Sequence, residues 1–440
     1  MLRLSPRGVT GLVVASLRRD ERGTIAIVFA LSMLVISCLL GVALDYGNAY
    51  RVRSMLQSMA DAATLSVVAT KSDGYAAAAA MTSDGEVPAA QASALAMLTA
   101  EVSGKLGKAH LTSTASVTKS GSRVTATVDY TVDVPTTFLA LLNLKHVTVS
   151  GSAKSMNRLP SYMDFYLLLD NSPSMGVAAT PGDIDTMVNN TADACAFACH
   201  DTTGVADYYT LAHQLGVTMR IDVLRQATES LMDTALAEEM VPNEFRMDIS
   251  TFNTGLQSIA SLTPNLGAAK SSASAIDLMS VAGQNTNNDR YTDYGATLTA
   301  IDNLVPASGS GTRPNDPQRV VFFVTDGVAD QVESTATSVV GNASMSVAGQ
   351  DRLIQTIDPA LCEDLKSRGI KVAVLYTTYL PLPTNAFYTT NVEPWADQIN
   401  PQMQSCASPG LFFEVSPSEG IAEALKALFV KVVTNARVSS

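Results

Sequence analysis

Asp170, Ser172 and Ser174 stand at alternate positions directly after the unbroken apolar run Phe165–Leu169. Carboxylate and hydroxyl oxygens spaced in this way along a turning loop can converge on one small hard cation, and Mg²⁺ favours such ligands with water in an octahedral array. Taken alone, the triplet reads equally well as a polar turn closing a core strand. Two later segments supply matching donors. Asp326 follows the buried-looking strand Gln318–Val324 in Thr325-Asp326-Gly327, and Thr292 lies where a loop should turn into a helix with Tyr294, Leu298, Ile301 and Leu304 as its apolar stripe. A Thr at such a junction is often only a cap.

These donors need a scaffold that brings three distant loops to one edge. Phe165–Leu169 has no polar alternation, which predicts a strand covered on both faces, as in a parallel sheet flanked by helices. Further strands are expected at Phe245–Phe252, Gln318–Val324, Ile370–Tyr376 and Leu411–Val415, with helices through Ile221–Leu236 and Gly420–Val433. Strands alternating with helices imply an α/β, doubly wound parallel sheet, in which Asp170 and Asp326 share the carboxyl edge where such sheets bind ligands. The segment Gly176–Val217 has no clear period and reads as an insertion.

Ahead of this domain the chain has a different character. Arg3, Arg7, Arg18, Arg19 and Arg22 precede Thr24–Leu44, a run of 21 residues without a charge. That length crosses a hydrocarbon core of about 30 Å as a helix, and the flanking arginines place the amino terminus in the cytoplasm. A cleaved signal peptide has a shorter apolar region, about 7–15 residues. A helical pattern continues over Asp45–Thr70. Residues 71–92 read as a loop or linker, Ala89–Leu106 as a helix, and His110–Thr118 with Val124–Val134 as a hairpin, followed by a short strand at Val147–Ser150. The chain therefore divides into a cytoplasmic terminus (1–23), a transmembrane helix (24–44), a stalk helix with a small α+β module (45–160) and a large domain (161–435).

The net charge of −12 argues against nucleic acid as a partner, since phosphate binding needs a basic surface. Catalysis also fits poorly. His110, His146, His200 and His213 have no motif linking them to the serines, and no Gly-rich phosphate loop accompanies the carboxylates. A metal-dependent hydrolase using Asp170 and Asp326 is the enzymatic alternative.

With its three loops in this order, the segment 161–435 resembles the von Willebrand factor A (VWA) domain, and the loops resemble its metal-ion-dependent adhesion site (MIDAS). The resemblance implies that Ser172, Ser174 and Thr292 ligate Mg²⁺ or another divalent cation directly, while Asp170 and Asp326 act mainly through bound waters. The family's Thr is usually followed by Asp or Asn, which favours Thr292 over the second choice, Thr297. The front of the chain, Arg18–Leu31 with Val42–Gly47 and Leu56–Ala63, is similar to TadG-like proteins of the tight-adherence (Flp) pilus assembly system. Related pseudopilins carry a Glu near the fifth position after a processing Gly, where this chain has Val28.

Together these imply a non-enzymatic, single-pass protein of the bacterial inner membrane, with its body periplasmic or exposed. It is expected to bind a partner protein through an acidic side chain offered to the metal, in pilus assembly or adhesion alongside other pilus components. A scaffold with a purely structural metal is the alternative. In an oxidising compartment Cys195, Cys199, Cys362 and Cys406 form an even set, with Cys195–Cys199 and Cys362–Cys406 the favoured pairs, while Cys38 stays in the membrane.

Overall fold

The computed structural model describes residues 22–198, 200–203, 207–281, 292–333, 338–347, 349–379, 381–383, 385–416 and 420–439. These form two compact units.

The first unit takes in the described residues up to Tyr75, together with Glu86–Lys119 and Val124–Asn157. Its spine is α1, Arg22–Val68, an unbroken helix of 47 residues. By length and composition this helix can cross a membrane. Its carboxyl half is amphipathic: Ala49, Val52, Leu56, Ala60, Ala63 and Val67 recur every three or four residues and are buried. In α2, Pro88–Val102, Ala90, Ala94, Leu98 and Val102 repeat at one-turn spacing and are buried as well. A four-stranded sheet completes the unit in the order β1 (Gly85–Glu86), β2 (His110–Ser120), β3 (Arg123–Pro135), β4 (His146–Arg158). Every second residue of β3 from Val124 to Val134 is buried, as a sheet with one covered face requires.

The linker expected at 71–92 is only partly irregular. Asp73–Ala80 is a helix and Gly85–Glu86 a short strand. An Ala run carries no apolar period to betray a helix, yet Ala is the strongest helix former.

The second unit comprises Ala76–Gly85, Ser120–Arg123 and Arg158 onward. Its strands are β5 (Met163–Asp170), β6 (Phe245–Phe252), β7 (Leu256–Thr263), β8 (Gln318–Thr325), β9 (Lys371–Thr377) and β10 (Phe412–Val415). They lie in the order β10-β9-β8-β5-β6-β7, all parallel except β7, which runs antiparallel to β6. The chain starts in the middle, winds to one edge and returns to the other. This is the expected doubly wound α/β fold, and its switch point lies between β5 and β8.

Every residue of β5 is buried. Phe165, Leu167 and Leu169 face one core with Phe322 and Phe429, while Tyr166 and Leu168 face the other with Phe323 and Leu298. The first core is covered by α3 (Arg220–Glu238), α4 (Leu266–Ala273) and a later helix, α8 (Ile421–Ser439). The second is covered by α5 (Tyr294–Leu304), α6 (Ala360–Ser367) and α7 (Ile399–Cys406). A disulfide between Cys362 and Cys406 ties α6 to α7, as expected, with Cα atoms 5.3 Å apart. Cys199 lies outside the described residues. Cys195 carries a free thiol that donates to the Phe197 carbonyl at 3.5 Å.

The insertion after Ser174 is more regular than its sequence suggests, with helices at Pro181–Asn190 and Tyr208–Leu215. A second insertion follows Gly327 as a three-stranded antiparallel sheet, Ala329–Val332, Gln350–Gln355 and Asn342–Val347 in spatial order.

Candidate metal centre

The register pairs Leu169 with Val324, so Asp170 and the Thr325-Asp326 pair leave neighbouring strands at the same height. Past Asp170 the backbone turns at once. The Ser172 backbone N–H donates to Asp170 Oδ1 at 2.9 Å, and the Ser172 hydroxyl donates to the same oxygen at 2.6 Å. Pro173–Gly176 then forms a short 3₁₀ turn, which brings Ser174 Oγ to 3.1 Å from Ser172 Oγ. The Ser174 side chain is also hydrogen-bonded to Asp326. Four of the five expected residues, Asp170, Ser172, Ser174 and Asp326, thus form one connected polar cluster.

The other oxygen of Asp170 is held from β8. Thr325 Oγ1 donates to Asp170 Oδ2 at 2.6 Å and lies 2.7 Å from the Tyr294 hydroxyl. With its single proton committed to the carboxylate, Thr325 accepts from Tyr294. Gly327 turns the chain away with φ +81°, and a Cβ there would sit 2.4 Å from Ile399 Cγ2, so only glycine suits this position.

Thr292, the fifth residue, is buried and held through its backbone. Its N–H donates to Asp330 O at 3.0 Å and its carbonyl accepts from Asp330 N–H at 3.1 Å. The next residue, Asp293, rather than Thr292 itself, caps α5 by accepting from Ala296 N–H at 2.8 Å. Asn253 connects this loop to the first one: its carbonyl accepts from Asp293 N–H at 2.9 Å and its side-chain amide donates to Asn171 Oδ1 at 3.1 Å. Thr297, the alternative donor, lies one turn into α5, fully buried, and among the described residues its hydroxyl has no hydrogen-bond partner.

Arg220 belongs to the site without any local motif to mark it. It opens α3 behind the first insertion, is fully buried, and directs Nη1 to Asp326 Oδ2 at 3.3 Å. Nη2 donates to the Thr378 carbonyl at 3.4 Å, and the guanidinium lies 5.3 Å from the centre of the Tyr379 ring. Thr325, Tyr294 and Asn253 also escaped sequence reading as site residues. Their types are common in cores and turns, and only the register brings them together.

The electrostatics are unfavourable for the carboxylates as they stand. Asp170 is pushed up to about 7, first by burial and then by the charge of Asp326, against the pull of its bonds from Ser172 and Thr325. Asp326 is also raised, because burial outweighs the guanidinium of Arg220. Two buried carboxylates facing one guanidinium leave a net negative charge when both ionise. A buried ion without full compensation costs several kcal/mol. The cluster lacks any soft or nitrogen ligand: its donors are carboxylate and hydroxyl oxygens, the set suited to Mg²⁺ or Ca²⁺. Among the described residues no group of three or more His, Cys, Asp or Glu is placed to hold a metal, so a cation here would depend on the hydroxyls. On charge and donor chemistry, the residues fit a hard divalent cation.

No curated protein matches the chain. Among solved structures, the vWF domain of the type V pili tip protein Mfa5 from Porphyromonas gingivalis is similar at 10% identity and TM-score 0.36, covering 63% of this chain and 97% of that one. The PilB minor pilin from Streptococcus sanguinis gives 11% and 0.35, with 75% and 78% covered. BatB from Bacteroides thetaiotaomicron gives 13% and 0.33, with 62% and 99% covered. Residues 23–80 match the family model described as putative Flp pilus-assembly TadE/G-like. Residues 23–80 are thus similar to the TadE/G-like Flp pilus-assembly family, and the α/β domain built around Asp170 and Asp326 follows them.

Proposed function

We propose that this is a membrane-anchored envelope protein of Tad/Flp pilus assembly or adhesion, which recruits a partner protein through a Mg²⁺-dependent site formed by Asp170, Ser172, Ser174, Thr292 and Asp326. The observation that carries this reading is the pair of buried carboxylates at adjacent strand ends, bonded to serine hydroxyls and only half compensated by one guanidinium. A divalent cation held there supplies positive charge and a coordination position that an acidic side chain can occupy. Ser174 is the half-buried member of the cluster and marks the side open to a partner.

The α1 helix serves as the anchor, in the bacterial inner membrane, with the arginine-rich terminus cytoplasmic and the body periplasmic or exposed. We take the role to be binding rather than catalysis: among the described residues Ser172 and Ser174 bond to carboxylates and to each other, as ligand-holding hydroxyls do. The test is co-purification of Flp pilus components with the full chain from detergent-solubilised membranes. Recovery in Mg²⁺ that is lost in chelator and in Asp326→Ala supports the reading, and recovery indifferent to both overturns it.

One observation favours a second reading. Asp170, Ser172 and Asp326 are all fully buried, which suits a cation that stabilises a scaffold. In that case Mg²⁺ raises the melting temperature while co-purification persists in chelator.

A further inference from the structure

Asp45 is the first charged residue after the 21-residue uncharged run, and it is buried. Its carboxylate accepts three successive backbone N–H groups from the loop between β3 and β4: Thr137 at 3.0 Å on Oδ1, and Phe138 at 2.8 Å and Leu139 at 2.7 Å on Oδ2. The neck of that loop is closed by Thr136 N–H donating to Lys145 O at 3.1 Å. The tip is apolar and open, with Phe138 41%, Leu141 84%, Leu142 66% and Leu144 56% exposed.

Other contacts fix how far along α1 this tip sits. Asn157 donates to Val68 O at 2.8 Å, Thr64 Oγ1 lies 2.8 Å from Ser155 Oγ, and Gln57 donates to Ser152 O at 3.1 Å. Tyr130 donates to Gln57 Oε1 at 3.1 Å. The sheet therefore runs alongside the helix and reaches the end of the uncharged run at Asp45. Phe138 goes further: a Cβ on Gly41 would lie 2.5 Å from its Cγ, so the ring covers this glycine. Gly41 is four residues inside the run, about 6 Å along the axis. Leu40 and Leu44 are exposed on the same stretch, and Tyr46 and Tyr50 follow just beyond it. Lys145 and His146 are exposed at the rim of the loop, where a basic side chain can reach headgroups.

We infer that the tip Phe138–Leu144 inserts into the bilayer that α1 crosses, giving the first unit a second contact with the lipid surface at a depth set by the Asp45 clamp. Lipid is the occupant because the tip is fixed by contacts to the same helix that enters the membrane, at the level where that helix becomes polar. Aromatic residues at this height suit the interface. The inference rests on the reading of α1 as a membrane anchor.

The test is tryptophan fluorescence of the full chain reconstituted into phosphatidylethanolamine and phosphatidylglycerol vesicles whose upper acyl chains carry bromine. The native chain has one tryptophan, the buried Trp395, which supplies the baseline. Leu141→Trp should lose emission to brominated lipid, as Phe29→Trp in the uncharged run does. Thr125→Trp, ten residues of strand before Pro135 and thus roughly 33 Å away along β3, should keep its emission. Quenching at position 29 with none at 141 overturns the inference and leaves the anchor intact. No quenching at position 29 overturns the anchor reading, and the inference with it.

Discussion

Asp170 and Asp326 close neighbouring parallel strands, and among the described residues the guanidinium that meets them is that of Arg220, 3.3 Å from Asp326 Oδ2. The pair is fully buried, so its balance of charge rather than its exposure decides what the site favours. One guanidinium cannot neutralise two ionised carboxylates.

Arg220→Met should therefore make the fold more dependent on metal. Removing one partner of a buried ion pair costs about 3–5 kcal/mol, and this loss should appear in full in chelator. Added Mg²⁺ should restore part of it, giving a larger metal-induced rise in melting temperature than in the native chain. Thermal melts of the full chain in detergent with EDTA or Mg²⁺ measure this. The same deficit in both conditions would leave Arg220 as a packing residue only.

Acidity should act through Asp170. Its carboxyl is pushed up to about 7 in the folded chain from the ordinary 3.8. A folded-state value above the unfolded one means that the folded chain holds the extra proton between these limits. The contribution of this group to metal-free stability thus falls as pH rises from about 4 to about 7, and is level above that window. Asp170→Asn cannot titrate. In chelator, the melting temperature of the native chain minus that of Asp170→Asn should fall across this window. A difference that stays flat contradicts the assignment.

The disulfide should contribute heavily to the second unit. Cys362 and Cys406 close a loop of 44 residues between α6 and α7, worth about 4 kcal/mol in the chain-entropy account. Cys362→Ser should lower the denaturation midpoint in non-reducing buffer to that of the reduced native chain. An unchanged midpoint would mean that the bridge constrains nothing the packing does not already hold.

The parts of this architecture legible in sequence were those encoded locally. Phe165–Leu169 and Val320–Val324 are apolar on both faces because each lies between helical layers, so their polar ends announce the site. The Asp-x-Ser-x-Ser loop is contiguous, and its turn is set by bonds between residues two apart. Arg220 was invisible because its place depends on where the 176–217 insertion returns the chain, which Arg220 N–H donating to Val177 O at 3.0 Å records. β7 was missed because an edge strand is half exposed and its period is blurred, with register shifts against β6 near Ile249. The helix at Asp73–Ala80 was missed because a run of alanines has no apolar face to read. The clamp of Asp45 on Thr137–Leu139 joins residues more than ninety apart, and no local pattern foretells it.

Calorimetric titration of Mg²⁺ into the full chain in detergent, compared with Asp170→Ala and Thr292→Ala, tests the central claim most directly. Saturable binding by the native chain that disappears in both folded variants is the predicted result. Absence of binding by the folded native chain would contradict the metal centre and leave Arg220 as the sole counter-charge of a structural cluster.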